Sequence, residues 1–483
     1  MSMAFYRFIG ETEKGEWIME TKENKKNWIL SGVILVLFVV TQYMLRTKMF
    51  IYSDDVVAQE RMLTMNHLEY IKYMFTSVNG KWFTDPLGAF MGQWPFEIWM
   101  AVDVVLYTLG VWLAAYIVSA ASKTCGVDSN KTLKTEALYL GCLLVMCFPV
   151  SYLLSAGFIL TDTNYVYTCI ASIMCLAAVV YLTENTGRKI WMKAAAVLGG
   201  VLGVLYASNQ EQSACVLGGM LCGYLFWYFM THDKKVNIPA VLFLAEDAAG
   251  LALLMLAPGH RIRSGSVGGT FSVPGYENWT AANKITEGIT ATAANIYFQP
   301  VQVFMILCVL LFIAAIVMQG KKLKALIPAT ALVLFQIFEM CTDYEFFIMY
   351  HDFSWGLPDT DGSMVSFAVL IVITLLVVAA VWNIFDDKWE AAGILWTLFI
   401  GAMSRIMMGF SATLFGSSFR TFMYQLVLIG CVDLYILIRI LGRIGNKAVK
   451  TGIFAVLTVI ACISYYNNYQ WLISYYHWLM TRR

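Results

Sequence analysis

Apolar stretches of transmembrane length, separated by short polar breaks, run through almost the whole chain. They lie near 28–46, 97–120, 136–155, 163–183, 193–208, 212–231, 239–257, 300–318, 326–345, 363–384, 391–410, 421–441 and 451–467. A helix needs roughly 20 residues to cross about 30 Å of hydrocarbon, and inside lipid only helices or closed barrels satisfy every backbone polar group. The pattern therefore predicts an all-α, polytopic transmembrane helix bundle of about thirteen helices.

The polar breaks add direction. With a cytosolic N-terminus, the basic groups Lys22/Lys25/Lys26, Lys123/Lys131/Lys134, Arg188/Lys189/Lys193, Lys234/Lys235, Lys321/Lys322/Lys324, Lys388 and Arg443/Lys447/Lys450 all fall on the cytosolic side. Every second connection is basic, as short cytosolic loops are. Residues 1–27 then read as a cytosolic tail and 28–483 as a single transmembrane domain. Its two long connections, 47–96 and 258–299, lie outside the cell membrane's inner face, with shorter outer loops at 156–162, 209–211, 346–362 and 411–420. Within the first, Val57, Met62, Leu68, Ile71 and Phe75 form an approximate helical stripe opposite Gln59, Glu60, Arg61, Asn66 and Lys72. That pattern predicts a helix lying in the interface.

Composition narrows the functional classes. Apolar residues make up 59% of the chain and charged residues 13%, too little polar surface to solvate a globular domain of this length. A net charge of +1 offers nothing to a nucleic acid, so none is expected as partner. The 11 cysteines sit mostly inside apolar runs without metal-like spacing, and no two histidines stand at ligand spacing. Long loops on one face and short basic ones on the other imply that the work is done on the outer face.

Candidate chemistry concentrates there. Ser53-Asp54-Asp55 follows the first span; an acid pair at that position can take a proton from a hydroxyl, hold a divalent cation, or cap the following helix. Arginines outside a membrane need a reason, and their planar forks suit phosphate. Arg261 and Arg263 open the second large loop within Pro258-Gly259-His260-Arg261-Ile262-Arg263, Lys284 follows in the same loop, Arg420 enters the twelfth span, and Arg405 lies in the eleventh. Asn79-Gly80-Lys81-Trp82 and Asn209-Gln210-Glu211-Gln212 are polar turns, while Asp162 and Asn164 join the third and fourth spans. Tyr350, His351, Asp352, Phe353 and Trp355 could stack on a sugar. Glu246 and Asp247 fall mid-span, the feature a transporter would need; Asp103 and Asp433 are also intramembrane acids.

The chain resembles the GT-C superfamily of membrane glycosyltransferases, in particular the bacterial branch related to serotype-converting glucosyltransferases. The resemblance rests on a first span, an outer loop with the pair Asp54-Asp55, the following amphipathic helix, the Asn-Gly-Lys-Trp segment at 79–82, Glu211, and Pro-Gly-His-Arg-Ile-Arg at 258–263. It implies a GT-C-type bundle in a bacterial cytoplasmic membrane that moves a sugar from a polyprenyl-phosphate carrier to a glycan, lipid or protein acceptor. Asp54 would activate the acceptor and Asp55 assist it. Arg261, Arg263, Arg420 and Lys284 would hold the carrier phosphate, and Asn79, Lys81, Trp82, Glu211, His260 and Asp162 the substrates. No resident cofactor is implied beyond a divalent cation, Mg or Mn, which some members use and others do not. A lipid-glycan flippase or transporter, and an O-antigen-type polymerase or ligase, remain the alternatives.

Overall fold

The computed structural model describes residues 27–124, 131–153, 157–184, 189–265, 273, 275–297, 302–319, 322–342, 360–414, 417 and 419–481. The N-terminal tail, the 266–272 stretch and the aromatic group at 350–355 lie outside the described residues. Among the described residues the chain is helical, with no strand.

Among the described residues eleven helices are long and apolar enough to cross a membrane, which makes this a multi-pass integral membrane protein. They are α1 (Asn27–Arg46), α5 (Phe96–Thr124), α7 (Phe158–Glu184), α8 (Ile190–Ala207), α9 (Glu211–Thr231), α10 (Ile238–Leu256), α13 (Gln302–Gln319), α14 (Leu323–Cys341), α16 (Lys388–Ile406), α17 (Met423–Arg443) and α18 (Lys447–Thr481). Two further predicted runs carry α6 (Lys131–Met146), of 16 residues, and α15 (Thr360–Ile384), of 25 residues. Pro149 follows α6 closely, lacks the N–H a continuing helix would need, and gives way to a single 3-10 turn.

The helices between the spans do not form one interfacial rod. They are α2 (Asp54–Met62), α3 (His67–Tyr73) and α4 (Thr84–Met91) in the first loop, then α11 (Pro258–Gly265) and α12 (Ala281–Ile296) in the second. Asn66 breaks the predicted stripe by capping α3 reciprocally with Glu69. The inward residues are Ala58, Tyr70 and Met74, whereas Val57 and Leu68 of the predicted stripe face away from the protein.

The bundle is organised around α17, which is apolar nearly all round and buried along most of its length. It packs on α5, α6, α13 and α16, while α1 and α18 lie at the periphery. α7 packs along α8; a Cβ at Gly203 would stand 2.6 Å from the Ala171 carbonyl oxygen, so only glycine permits that approach. Two charge pairs are sealed inside the bundle. Arg46 donates to Asp103 and to the Gln42 side chain at 2.6 Å, with the Tyr107 ring 4.1 Å from its guanidinium carbon. Arg439 meets Glu390 at 2.6 Å, and the Tyr435 hydroxyl donates to the same carboxylate at 2.7 Å.

One expectation fails here. Asp162 is not in a loop between spans, because α7 already begins at Phe158 and carries Asp162–Val166 as a π turn within it.

Candidate functional site

The two neighbouring acids of the first loop meet different fates. Ser53 adopts φ 50° just before α2 and its hydroxyl makes no capping bond, so the short connection from α1 enters the helix under backbone strain. Asp54 emerges with its side chain 57% exposed and its carboxylate 3.9 Å from the guanidinium of Arg420. Its acidity is weakened by partial burial and by the nearby charge of Asp85, against the pull of Arg420 and Arg61. Asp55 turns inward. It accepts the backbone N–H groups of Leu160 at 2.9 Å and Ile159 at 3.3 Å, so it caps the first turn of α7, and the expected side-chain cap on the following helix is not formed. Burial pushes the Asp55 carboxyl up to about 7; the N–H groups of Leu160, Ile159 and Phe158 hold it back, and the charge of Asp54 adds to the rise. Gly157 makes room for it: φ is +100°, and a Cβ there would lie 2.5 Å from the carboxylate.

Next to Asp54 lies a buried polar cluster that draws on three distant segments. Asn79 and Asn164 both donate their side-chain amides to Asp85 at the start of α4. The Asn164 oxygen accepts from the Lys81 ammonium at 2.8 Å and from the Thr84 hydroxyl at 3.0 Å. Asn209, in the turn before α9, accepts the backbone N–H groups of Phe83 and Thr84, both at 2.9 Å. Two π turns make this convergence feasible. One, Met74–Val78, ends with the Met74 carbonyl accepting from Asn79 and Gly80; the other projects Asn164 from α7. Trp82 is half-buried at the edge, its ring 5.6 Å from that of Phe83.

The remaining motifs attach through backbone contact. A Cβ at Gly259 would come within 2.8 Å of the Gly80 nitrogen and the Met74 and Phe75 carbonyls, and one at Gly80 within 2.8 Å of the Ala257 side chain. With φ +80° at Gly80 as well, this crossing demands glycine on both strands of chain. It sets His260 3.5 Å from Glu211, whose carboxylate also feels Lys81 and Arg263. Thus Asn79, Lys81, Glu211, His260 and Arg263 share one neighbourhood, with the side chains of Arg261 and Arg263 exposed on α11.

Two predicted residues are placed elsewhere. Asp162 is fully buried, receives the Tyr107 hydroxyl at 3.3 Å and sits in the field of Asp103 and Arg46, so it completes the sealed charge network beneath the loops. Lys284 lies on α12 with its ammonium 4.4 Å from the centre of the Tyr276 ring, while Tyr276 itself donates to the Gly409 carbonyl at 3.1 Å.

Sequence reasoning left Asp85 out of the site, because Thr84-Asp85-Pro86 carries the ordinary signature of a helix start. Arg405 was visible only as an intramembrane charge. It is buried at the end of α16, and among the described residues its side chain makes one hydrogen bond, to the Leu414 carbonyl at 3.2 Å. Its guanidinium carbon stands 4.4 Å from the Phe422 ring centre, and that of Arg420 5.8 Å from the ring of Tyr165. A half-exposed carboxylate beside guanidinium groups can accept a proton and hold an anion at once. Comparison with protein-family models, with curated proteins and with solved structures finds no match.

Proposed function

We propose that the protein is a membrane glycosyltransferase that moves a sugar from a polyprenyl-phosphate carrier to a glycan, lipid or protein acceptor, with its site on the non-cytosolic face. The observation that carries this reading is the 3.9 Å approach of the exposed Asp54 carboxylate to Arg420. The basic connections opposite the two large loops support the orientation.

A sugar hydroxyl is a weak nucleophile. In this mechanism it attacks the anomeric carbon while Asp54 takes its proton, and the bond from that carbon to the carrier phosphate breaks with its electrons going to the phosphate oxygen. A positioned carboxylate contributes about 10²- to 10⁴-fold to such a step. Arg420 stabilises the charge that grows on the departing phosphate. Asp55 acts as a positioning residue, tying α2 to the first turn of α7. Lys81, Asn79, Asp85, Glu211 and His260 form the polar wall on which the sugar hydroxyls would be sorted.

The test is Asp54→Asn in liposomes supplied with a panel of polyprenyl-phosphate sugars. Turnover is expected to fall at least 100-fold while donor binding survives, in line with loss of a general base. Full turnover in that variant would remove Asp54 from the chemistry. Retained activity after losing both Asp54 and Asp55 would instead indicate a polymerase or ligase that relies on its arginines.

A further inference from the structure

A charge sealed inside a bundle needs a built-in partner or a bound ion, because burying it alone is strongly unfavourable. The network between α1, α5 and α7 is one charge out of balance. Arg46, Asp103 and Asp162 are all fully buried, and among the described residues the one salt bridge of the three joins Arg46 to Asp103. Asp162 is left over: the field of Arg46 reaches it, but so do those of Asp103 and Asp55. Tyr107 ties the group together, with its ring 4.1 Å from the Arg46 guanidinium carbon, its hydroxyl donating to Asp162 Oδ1 at 3.3 Å, and its place on α5 one turn from Asp103. Oxygens without a hydrogen-bond partner among the described residues collect here. They are Asp103 Oδ1, Asp162 Oδ2 and the hydroxyl of Tyr167, which is buried with the charges of both acids acting on it. The Arg46 Nη2 is unbonded too, but as a donor it holds no cation.

We infer that Asp103, Asp162 and Tyr167 bind one alkali-metal cation, of the sodium class, inside the bundle. Hard oxygen donors suit such an ion, and a single positive charge brings two carboxylates and one guanidinium to neutrality. Among the described residues no group of three or more His, Cys, Asp or Glu side chains could hold a metal, so a divalent ion lacks the ligands it needs. The site bears on the outer face through α7. Asp162 opens the π turn Asp162–Val166 that also carries Asn164, the residue bonded to Lys81, Thr84 and Asp85. A cation on Asp162 braces that turn and so steadies the polar cluster that Asn164 joins; π turns within helices are frequent at functional sites. The cation has this effect whether or not the protein transfers sugar.

Thermal melting of the purified full-length protein in detergent at neutral pH tests this by comparing sodium chloride with choline chloride at equal ionic strength. Sodium is expected to raise the melting temperature in a saturable way, as a ligand of the folded state does. Asp162→Asn removes the surplus charge, so it should melt higher than wild type in choline and show no rise with sodium. Tyr167→Phe keeps both acids but loses one oxygen, and should need roughly ten-fold more sodium for the same rise. Equal melting of wild type in the two salts overturns the cation site; if acid then stabilises wild type more than Asp162→Asn, a proton cancels the charge instead. An undiminished sodium response in Asp162→Asn, or in Tyr167→Phe should the first variant not fold, places sodium elsewhere and overturns the site as well. Hydrogen exchange across the π turn should slow with sodium in wild type. Exchange there that ignores sodium while the melting temperature rises would sever the link to Asn164.

Discussion

Arg46 and Arg405 are both sealed inside the bundle, yet their surroundings differ in kind. Arg46 has Asp103 against it, Gln42 and Tyr107 around it and Asp162 close by, so its charge is matched even though one of its amino groups stays unbonded. Among the described residues Arg405 has the Phe422 ring face and one carbonyl. The same contrast recurs one residue apart in the first loop, where Asp55 is saturated by backbone N–H groups and Asp54 is left half in water. Where the counter-charge is built in, as for Arg46 with Asp103, the pair is part of the fold. Among the described residues Arg405 keeps donors unbonded, and Asp54 is left largely in water with Arg420 3.9 Å away.

The sharpest way to break this contrast is to remove the arginines one at a time. Arg46→Met strands Asp103 in the bundle and is expected to destabilise the protein by about 3–5 kcal/mol, whereas Arg405→Met should cost nothing measurable. Thermal melting of the two variants compares them directly, and equal losses would erase the distinction. Replacing Asp103 by Leu in the Arg46→Met background should restore much of the lost stability.

A smaller effect is expected from Asp85→Asn, which swaps the acceptor of Asn79 and Asn164 for a group that is partly a donor. Hydrogen bonds to a charged group contribute about 1.5–3 kcal/mol each, so turnover should drop roughly ten-fold or more through misplacement of Lys81. If kcat is unchanged and only stability falls, the cluster belongs with the structural charges and not with the site.

The mildest test separates Asp54 from Asp55 by pH. The Asp55 carboxyl lies at about 7 in the fold against an ordinary 3.8, so folding favours its protonated form. Its contribution to stability is complete below 3.8 and is lost as pH rises through about 7. Wild type should therefore melt lower at pH 8 than at pH 5, and Asp55→Asn should flatten that part of the profile. An identical pH dependence in the variant would show that Asp55 does not titrate in this range.

Much of the fold was legible in the sequence, since hydrocarbon thickness fixes the length of each apolar run and each of the thirteen runs carries a helix. Asn79, Lys81, Glu211 and His260 could be singled out as polar positions between apolar spans, but their spacing in the chain did not show that they share one neighbourhood. What escaped were exchanges between near neighbours. Asp162 and Asn164 sit two residues apart, and only the π turn decides that the asparagine joins the Lys81 cluster while the acid is buried with Arg46. The direction in which Asp55 points was equally hidden, since it depends on the first turn of a helix some hundred residues away in the chain. Arg405 could be seen as an intramembrane charge, but not that its donors are unmet.

Asp55 has one more effect through its grip on Ile159 and Leu160. Asp54 follows wherever the first turn of α7 goes, and α7 is a 27-residue span whose inclination adjusts to the thickness of the surrounding bilayer. The height of the proton acceptor above the lipid is thus dictated by a rod to which it does not belong. Lengthening the acyl chains around the protein would shift that height without altering any atom of the site.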